Sequence, residues 1–234
     1  MVATKRSKRR KPKQGDLPYR SWGGPRKGAG RKPKNGIAAG VAHDVRAELK
    51  KRHPAHVTLK LKSGLPRLRQ KAEYAALRAA FVKGMNRFGF RLCHYAVLND
   101  HLHLICEAED RLSLRRGLQG LAIRIARALN KLWQRKGSVF ADRYHDRALA
   151  TPREVRNAIA YVMGNARHHA AQGRMVSSPQ PIDTFTSAPW FDGFRERFTV
   201  RGIDAIVRPT TPARTWLLET GWRRHGLIPL AAPA

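Results

Sequence analysis

The run Phe90-Arg91-Leu92-Cys93-His94-Tyr95-Ala96-Val97-Leu98-Asn99-Asp100-His101-Leu102-His103-Leu104-Ile105-Cys106-Glu107 reads as two strands folded back on each other. Apolar residues fill both halves, and the only turn-forming pair between them is Asn99-Asp100. Residues 90–98 therefore make one strand, Asn99-Asp100 a tight turn, and 101–107 the second strand. Everything on either side of this hairpin has to be placed around it.

Upstream, Val57, Leu59 and Leu61 alternate with Thr58, Lys60 and Lys62, the pattern of a half-buried strand. Lys62-Ser63-Gly64 turns the chain into a helix carrying Tyr74, Leu77, Phe81, Met85 and Phe88, which Gly89 closes. Downstream, Leu114, Leu118, Leu121, Ile125, Leu129 and Leu132 mark a long amphipathic helix ending near Gly137. Val139 to Ala150 makes a fourth strand. Thr151-Pro152-Arg153-Glu154 then opens a third helix: threonine caps, proline takes the first helical position and glutamate completes a capping box. The order is β-α-β-β-α-β plus an appended helix, which predicts an α+β protein with a ferredoxin-like antiparallel sheet.

Composition bounds the rest. The chain has 234 residues, and 47 Lys and Arg against 16 Asp and Glu give a formal net charge of +31. This length supports one sizeable core with tails. No apolar run approaches the roughly 18 residues needed to span a bilayer, and no apolar segment follows the basic amino terminus as in a secretory signal. Two cysteines, Cys93 and Cys106, make no disulfide framework, so a reducing cytoplasmic setting is expected. They face each other if Asn99-Asp100 is a two-residue turn, and they read as small buried hydrophobes. So large an excess of positive charge points to a polyanion, with nucleic acid ahead of a membrane surface.

Three segments follow from these patterns. Residues 1–52 form a basic, largely disordered DNA-binding tail in which Arg31 and Lys32 sit in a Gly-Arg-Lys-Pro run suited to phosphate contact. Residues 53–175 hold the βαββαβ domain. Residues 176–234 are a loop-rich extension with a short helix near 212–225; its Trp190, Phe191, Phe194, Trp216 and Trp222 either pack back on the domain or stack on bases. On the long helix, Arg116, Arg124, Arg127, Lys131 and Arg135 recur at near-helical spacing with no acid between Leu112 and Ala141, so they can track a phosphate backbone.

Two motifs can carry chemistry. His101 and His103 lie at i and i+2 in a strand, on one face and about 6.5–7 Å apart at Cα, so both imidazoles can turn to one metal ion. On the third helix, Val155, Ile159, Val162 and Ala166 form an apolar stripe, and Asn157, Tyr161 and Asn165 line the neighbouring polar face one turn apart. Taken singly, the histidine pair fits better as a solvent-facing strand pair, and Tyr161 as a core-stripe edge residue with its hydroxyl in water.

Their combination resembles the HUH single-strand DNA transposases, in particular the REP-associated tyrosine transposases and their insertion-sequence relatives. The resemblance rests on Tyr95-Ala96-Val97-Leu98-Asn99-Asp100-His101-Leu102-His103-Leu104-Ile105 and on Ala160-Tyr161-Val162-Met163-Gly164-Asn165-Ala166-Arg167-His168, and it covers roughly residues 53–175. Trp133-Gln134 and the segment Val139 to Asp146 look like the link into that family's last strand. The resemblance implies that His101 and His103 bind Mg²⁺ or Mn²⁺ with Asn165 as third ligand. It also implies that Tyr161 is the nucleophile and that the substrate is single-stranded, hairpin-forming DNA. Asn165 is shorter than the Gln of some relatives, so it needs a closer helix. A free phenol titrates near about 10, so this nucleophile needs a base or a nearby metal. Tyr144 and Tyr95 are rival nucleophiles without the Tyr-x-x-x-Asn context. Two other readings stand beside the transposase: a nucleic-acid-binding protein of the same fold without cleavage, and a plasmid-type replication initiator or relaxase. Monomer and homodimer are both open.

Overall fold

The computed structural model describes residues 46–171, 182–200 and 202–230. Arg31, Lys32 and most of the basic tail lie outside them. The described residues belong to one compact unit, Gly40–Ala234. Its elements run β1 (Ala55–Lys60), α1 (Lys71–Gly84), β2 (Asn86–Arg87), β3 (Phe90–Val97), β4 (His101–Ala108), α2 (Arg111–Leu132), β5 (His145–Ala148), α3 (Pro152–Ala171) and α4 (Trp216–Glu219). The sheet has the order β2-β3-β4-β1-β5, and every pair is antiparallel. Without the small β2, this is the split βαββαβ order that the sequence predicts.

The hairpin forms as expected: Leu98 N–H donates to the His101 carbonyl at 2.9 Å, closing the Asn99-Asp100 turn. Above it, register slips at Cys93. His94 pairs with Ile105, but Leu92 pairs with Cys106, so Cys93 is a bulge and does not face Cys106. The extra residue inverts the alternation. Leu92, Tyr95 and Val97 reach the core shared with α1 and α2, while Cys93 and Ala96 reach the core on the other face. Both thiols are free and buried.

Four other elements differ from expectation. Helix α1 ends at Gly84, and Asn86-Arg87 instead pairs with Phe90-Arg91 through a two-residue turn. Phe88 and Gly89 occupy that turn with φ of 57° and 73°, so Phe88 is exposed and not on a helix face. Positive φ at both central residues matches the right-handed twist of a tight hairpin, which is why a helix cannot continue there. Helix α2 stops at Leu132 rather than near Gly137. The fourth strand is shorter than 139–150: only His145–Ala148 form a ladder with β1, preceded by an isolated bridge between Leu61 and Phe140. The helical stretch expected over 212–225 is α4 followed by a 3₁₀ turn, Gly221–His225.

Capping sets both long helices. Asp110 accepts from Ser113 N–H at 2.6 Å at the start of α2. Thr151 and Glu154 form the reciprocal capping box of α3: Glu154 N–H donates to Thr151 Oγ1 at 3.2 Å, and Glu154 Oε2 accepts from Thr151 N–H at 3.1 Å. Helices α1 and α2 cover one face of the sheet, with Leu77, Phe81, Leu118 and Leu121 against Val57, Leu102 and Leu104. Helix α3 covers part of the other face through Val155, Ile159 and Val162.

The chain after α3 packs back on that second face. Phe191, Phe194 and Trp222 are buried against α3 residues, whereas Trp216 is half exposed. Ser187 N–H donates to the Tyr95 carbonyl and Val97 N–H to the Phe185 carbonyl, so residues 185–187 cover the outer edge of β3. A bidentate pair from Arg69 to Asp183, at 2.7 and 2.9 Å, anchors this strap. Among the described residues, no helix is long and apolar enough to cross a membrane.

Candidate active site

The face of the sheet beneath α3 carries a row of polar side chains. Residues directly opposite in neighbouring strands share a face. Thr58 lies opposite His103 and Lys60 opposite His101 on β1 and β4, and His145 lies opposite Thr58 on β5. The partner residues between them, Val57, Leu59, Leu102 and Leu104, point into the α1/α2 core. Burying that apolar set fixes the register, and the register brings the polar set together.

His101 and His103 turn toward each other with ring centroids 4.9 Å apart. Each is oriented through Nδ1. His101 Nδ1 is 2.7 Å from Asp100 Oδ1. His103 Nδ1 is 3.1 Å from Thr58 Oγ1 and 3.2 Å from His56 Nε2. Tyr161 reaches the same place from α3: its hydroxyl is 3.5 Å from His103 Nε2, at the long limit of a hydrogen bond. Thr58, Asp100, His101, His103 and Tyr161 line an open cavity of about 630 Å³ whose other walls include Lys60, Arg67, Leu65 and Leu98.

Sequence reasoning missed His56 and Thr58. The strand pattern of β1 assigns both to a solvent face, and only the non-local pairing with β4 puts them behind His103. His56 is held neutral, pushed down to about 4 by burial and by the neighbouring His145 and Arg147. A neutral imidazole and a hydroxyl can both accept from a protonated His103 Nδ1, which leaves the lone pair on Nε2, the nitrogen that faces Tyr161.

Asn165 lies one turn beyond Tyr161 and is completely buried. It does not line the cavity, and neither of its amide atoms has a hydrogen-bond partner. An unsatisfied buried amide costs about 1–3 kcal/mol, so this side chain is an amide with unused ligating capacity. Asn157, at the start of the same polar face, is exposed. Among the described residues, no three His, Cys, Asp or Glu side chains are gathered as a metal cluster. The donors that line the cavity are two backed imidazoles, with the unpartnered Asn165 amide buried outside its wall. Imidazoles oriented through Nδ1 by a carboxylate and a hydroxyl are the arrangement that metal-ligating histidines use, so the residues fit a divalent ion.

The rival tyrosines sit elsewhere. Tyr95 is buried in the α1/α2 core with its hydroxyl 2.8 Å from that of Tyr74, and burial pushes it well above the usual phenol range. Tyr144 lines a different cavity beneath the Arg46 guanidinium, which lies 3.8 Å from the ring centroid. The basic residues of α2 are also remote from Tyr161, because α2 packs on the opposite face of the sheet. There Arg116, Arg127 and Lys131 are exposed, while Arg124 is bonded to the Gly120 carbonyl and Arg135 to Asn130 and the Ser138 carbonyl.

Fold and site together define a split βαββαβ protein with a tyrosine and two histidines converging on one cavity. No protein-family model matches the chain, and no curated protein matches it. Among solved structures, it is similar to a REP-associated tyrosine transposase bound to a REP hairpin, at 19% identity and a TM-score of 0.43, over 57% of this chain and 76% of that one. It is also similar to a candidate transposase from Deinococcus radiodurans R1, at 13% identity and a TM-score of 0.37, over 59% of this chain and 100% of that one.

Proposed function

We propose that this chain is a single-strand DNA nuclease and strand transferase in which Tyr161 is the nucleophile, acting on hairpin-associated sites as transposases of the HUH type do. The observation that carries this reading is the convergence of Tyr161, His101 and His103 on one open cavity with cationic Lys60 and Arg67 in its walls. His101 and His103 would hold Mg²⁺ or Mn²⁺ through Nε2, and Asn165 would serve as third donor by turning its Oδ1 from its buried position toward the cavity. Such an ion polarises phosphate oxygens and offsets charge developing at phosphorus.

The phenolic oxygen of Tyr161 attacks phosphorus, an O–P bond forms, and the bond to the 3′ oxygen breaks. The phenol loses its proton and the departing 3′ oxygen gains one, so the step is proton-neutral overall. The product is a 5′-phosphotyrosine link beside a free 3′-OH. The link keeps the energy of the phosphodiester, so a second 3′-OH can displace Tyr161 and rejoin the strand without a nucleotide cofactor. Lys60 and Arg67 hold the flanking phosphates, and a pocket on an open sheet face admits an unpaired strand more readily than a duplex.

A covalent-adduct assay tests this directly. The full chain is incubated with labelled single-stranded hairpin oligonucleotides and Mn²⁺, then run on a denaturing gel. The expected result is a protein–DNA band that chelator, Tyr161→Phe and His103→Ala each abolish. A band that persists in Tyr161→Phe overturns the assignment of the nucleophile. Tight hairpin binding with no band under any condition points to a binding protein without cleavage.

A further inference from the structure

The second large cavity lies on the opposite face of the sheet, between α2 and residues 140–144, and has a volume of about 570 Å³. Its interior is apolar and partly aromatic, with Leu59, Leu118 and Ala122 beside the rings of Phe140 and Tyr144. Its rim is cationic: Arg46, Arg111, Arg115 and Arg143 border it against the single acid Asp142. Asp146 behind the rim ties down Arg46 and Arg111, which makes the rim rigid and leaves the group positive. Arg115 is exposed and projects from the same helix as Arg116, Arg127 and Lys131.

An apolar aromatic slot beneath a ring of guanidinium groups matches a flat hydrophobic ring joined to an anion. A base within a duplex is stacked on both sides and cannot enter, whereas an unpaired base can stack on an aromatic side chain while arginine holds its phosphate. We propose that this cavity is a second DNA subsite, which takes one unpaired nucleotide of the strand processed at Tyr161. The choice of DNA as ligand rests on the function proposed above; the slot-and-rim chemistry does not. Arg116, Arg127 and Lys131 are exposed on the solvent side of the same helix, so a strand seated in the slot is held on the α2 side of the sheet, at a distance from the bond that breaks. This gives those cations a role that the Tyr161 cavity, on the other face, cannot give them.

The test uses the full chain carrying Tyr161→Phe, so that binding is read without adduct formation. The probe is a fluorescein-labelled single-stranded oligothymidylate containing 5-iodouracil. Anisotropy is expected to show roughly tenfold weaker binding for both Arg115→Gln and Tyr144→Leu. Irradiation is expected to cross-link the probe to the peptide containing Phe140 and Tyr144. Arg115→Gln alters an exposed side chain and keeps the test valid if Tyr144→Leu fails to fold by circular dichroism. Unchanged affinity in Arg115→Gln, cross-links confined to peptides around the Tyr161 cavity, or equal competition by a blunt duplex each overturns the proposal. The two proposals fail separately. A cross-link at residues 140–144 in a protein that never forms an adduct keeps this subsite and removes the chemistry; an adduct without that cross-link does the reverse.

Discussion

On the α1/α2 side of the sheet, Val57, Leu59, Leu102 and Leu104 meet Leu77, Phe81, Leu118 and Leu121 with almost no exposed surface. On the α3 side the same strands present His56, Thr58, His101 and His103, and beside them the cores of α3 and the C-terminal segment enclose His94 and Asn165. One face is an apolar layer at its centre. The other buries polar groups whose hydrogen bonding is specialised or incomplete. Because side chains alternate along a strand, the apolar face fixes the register of the polar face without sharing residues with it. Stability and chemistry are thereby separated by the thickness of one sheet, and the difference can be tested from each side.

The largest effect is expected on the apolar side. Gly117 lies in α2 where a Cβ would sit 2.1 Å from the Phe90 ring, and Phe90 is completely buried. Gly117→Ala gains about 1 kcal/mol of helix propensity, but overpacking of this contact outweighs it, for a net loss of about 2 kcal/mol. A lowered urea midpoint with adduct formation retained below the transition would confirm that the Gly117–Phe90 contact serves the fold and not the chemistry at Tyr161. Increased stability would show that the two layers are looser than this contact implies.

A pH dependence comes from the other side. Burial pushes His94 down to about 3, with Arg208 acting in the same direction and Asp192 against it. His56 shifts the same way, to about 4. Each folded value lies below the unfolded one of about 6.5, so the unfolded chain binds the proton first. Stability is full above about pH 6.5 and falls as pH drops toward the folded values, by at most about 1.4 kcal/mol per unit for each histidine. Removing one contributor in His94→Gln should flatten the decline between about pH 7 and 5 by roughly 1–2 kcal/mol. Denaturation at the two pH values measures this, and hydrogen exchange should show α3 amides losing protection before those of α2. Parallel pH curves for the two proteins would break the contrast between the faces.

The parts legible in the sequence are those encoded within a few residues. The hairpin at Asn99-Asp100, the capping box at Thr151 and Glu154, and the leucine stripe of α2 each declare themselves locally. The end of α1 does not, because Met85 and Phe88 continue the helical spacing; only the strain of Phe88 at positive φ reveals a turn. The bulge at Cys93 is silent for a similar reason: every residue from Leu92 to Val97 is buried on one face or the other, so alternation carries no parity. In the site, His101, His103 and Tyr161 stand out through i, i+2 and i, i+4 spacing. His56 and Thr58 do not, because their relation to His103 exists only in the pairing of β1 with β4.

That non-local relation carries the smallest and most specific prediction. Thr58→Val keeps a β-branched residue in β1, so the fold should persist and stability should fall by no more than one lost hydrogen bond, about 0.5–1.5 kcal/mol. It removes the hydroxyl 3.1 Å from His103 Nδ1 and leaves His56 Nε2 beside that nitrogen at 3.2 Å. If His103 ligates through Nε2 as proposed, Mn²⁺ affinity measured by calorimetry should fall about tenfold, the lower end of the range for loss of an outer-shell partner. Adduct formation should fall at limiting Mn²⁺ and recover at saturating Mn²⁺, and Thr58→Ser should restore both. Loss of adduct that excess metal does not repair would move Thr58 from positioning His103 to a direct role at the Tyr161 cavity, whose wall it already forms.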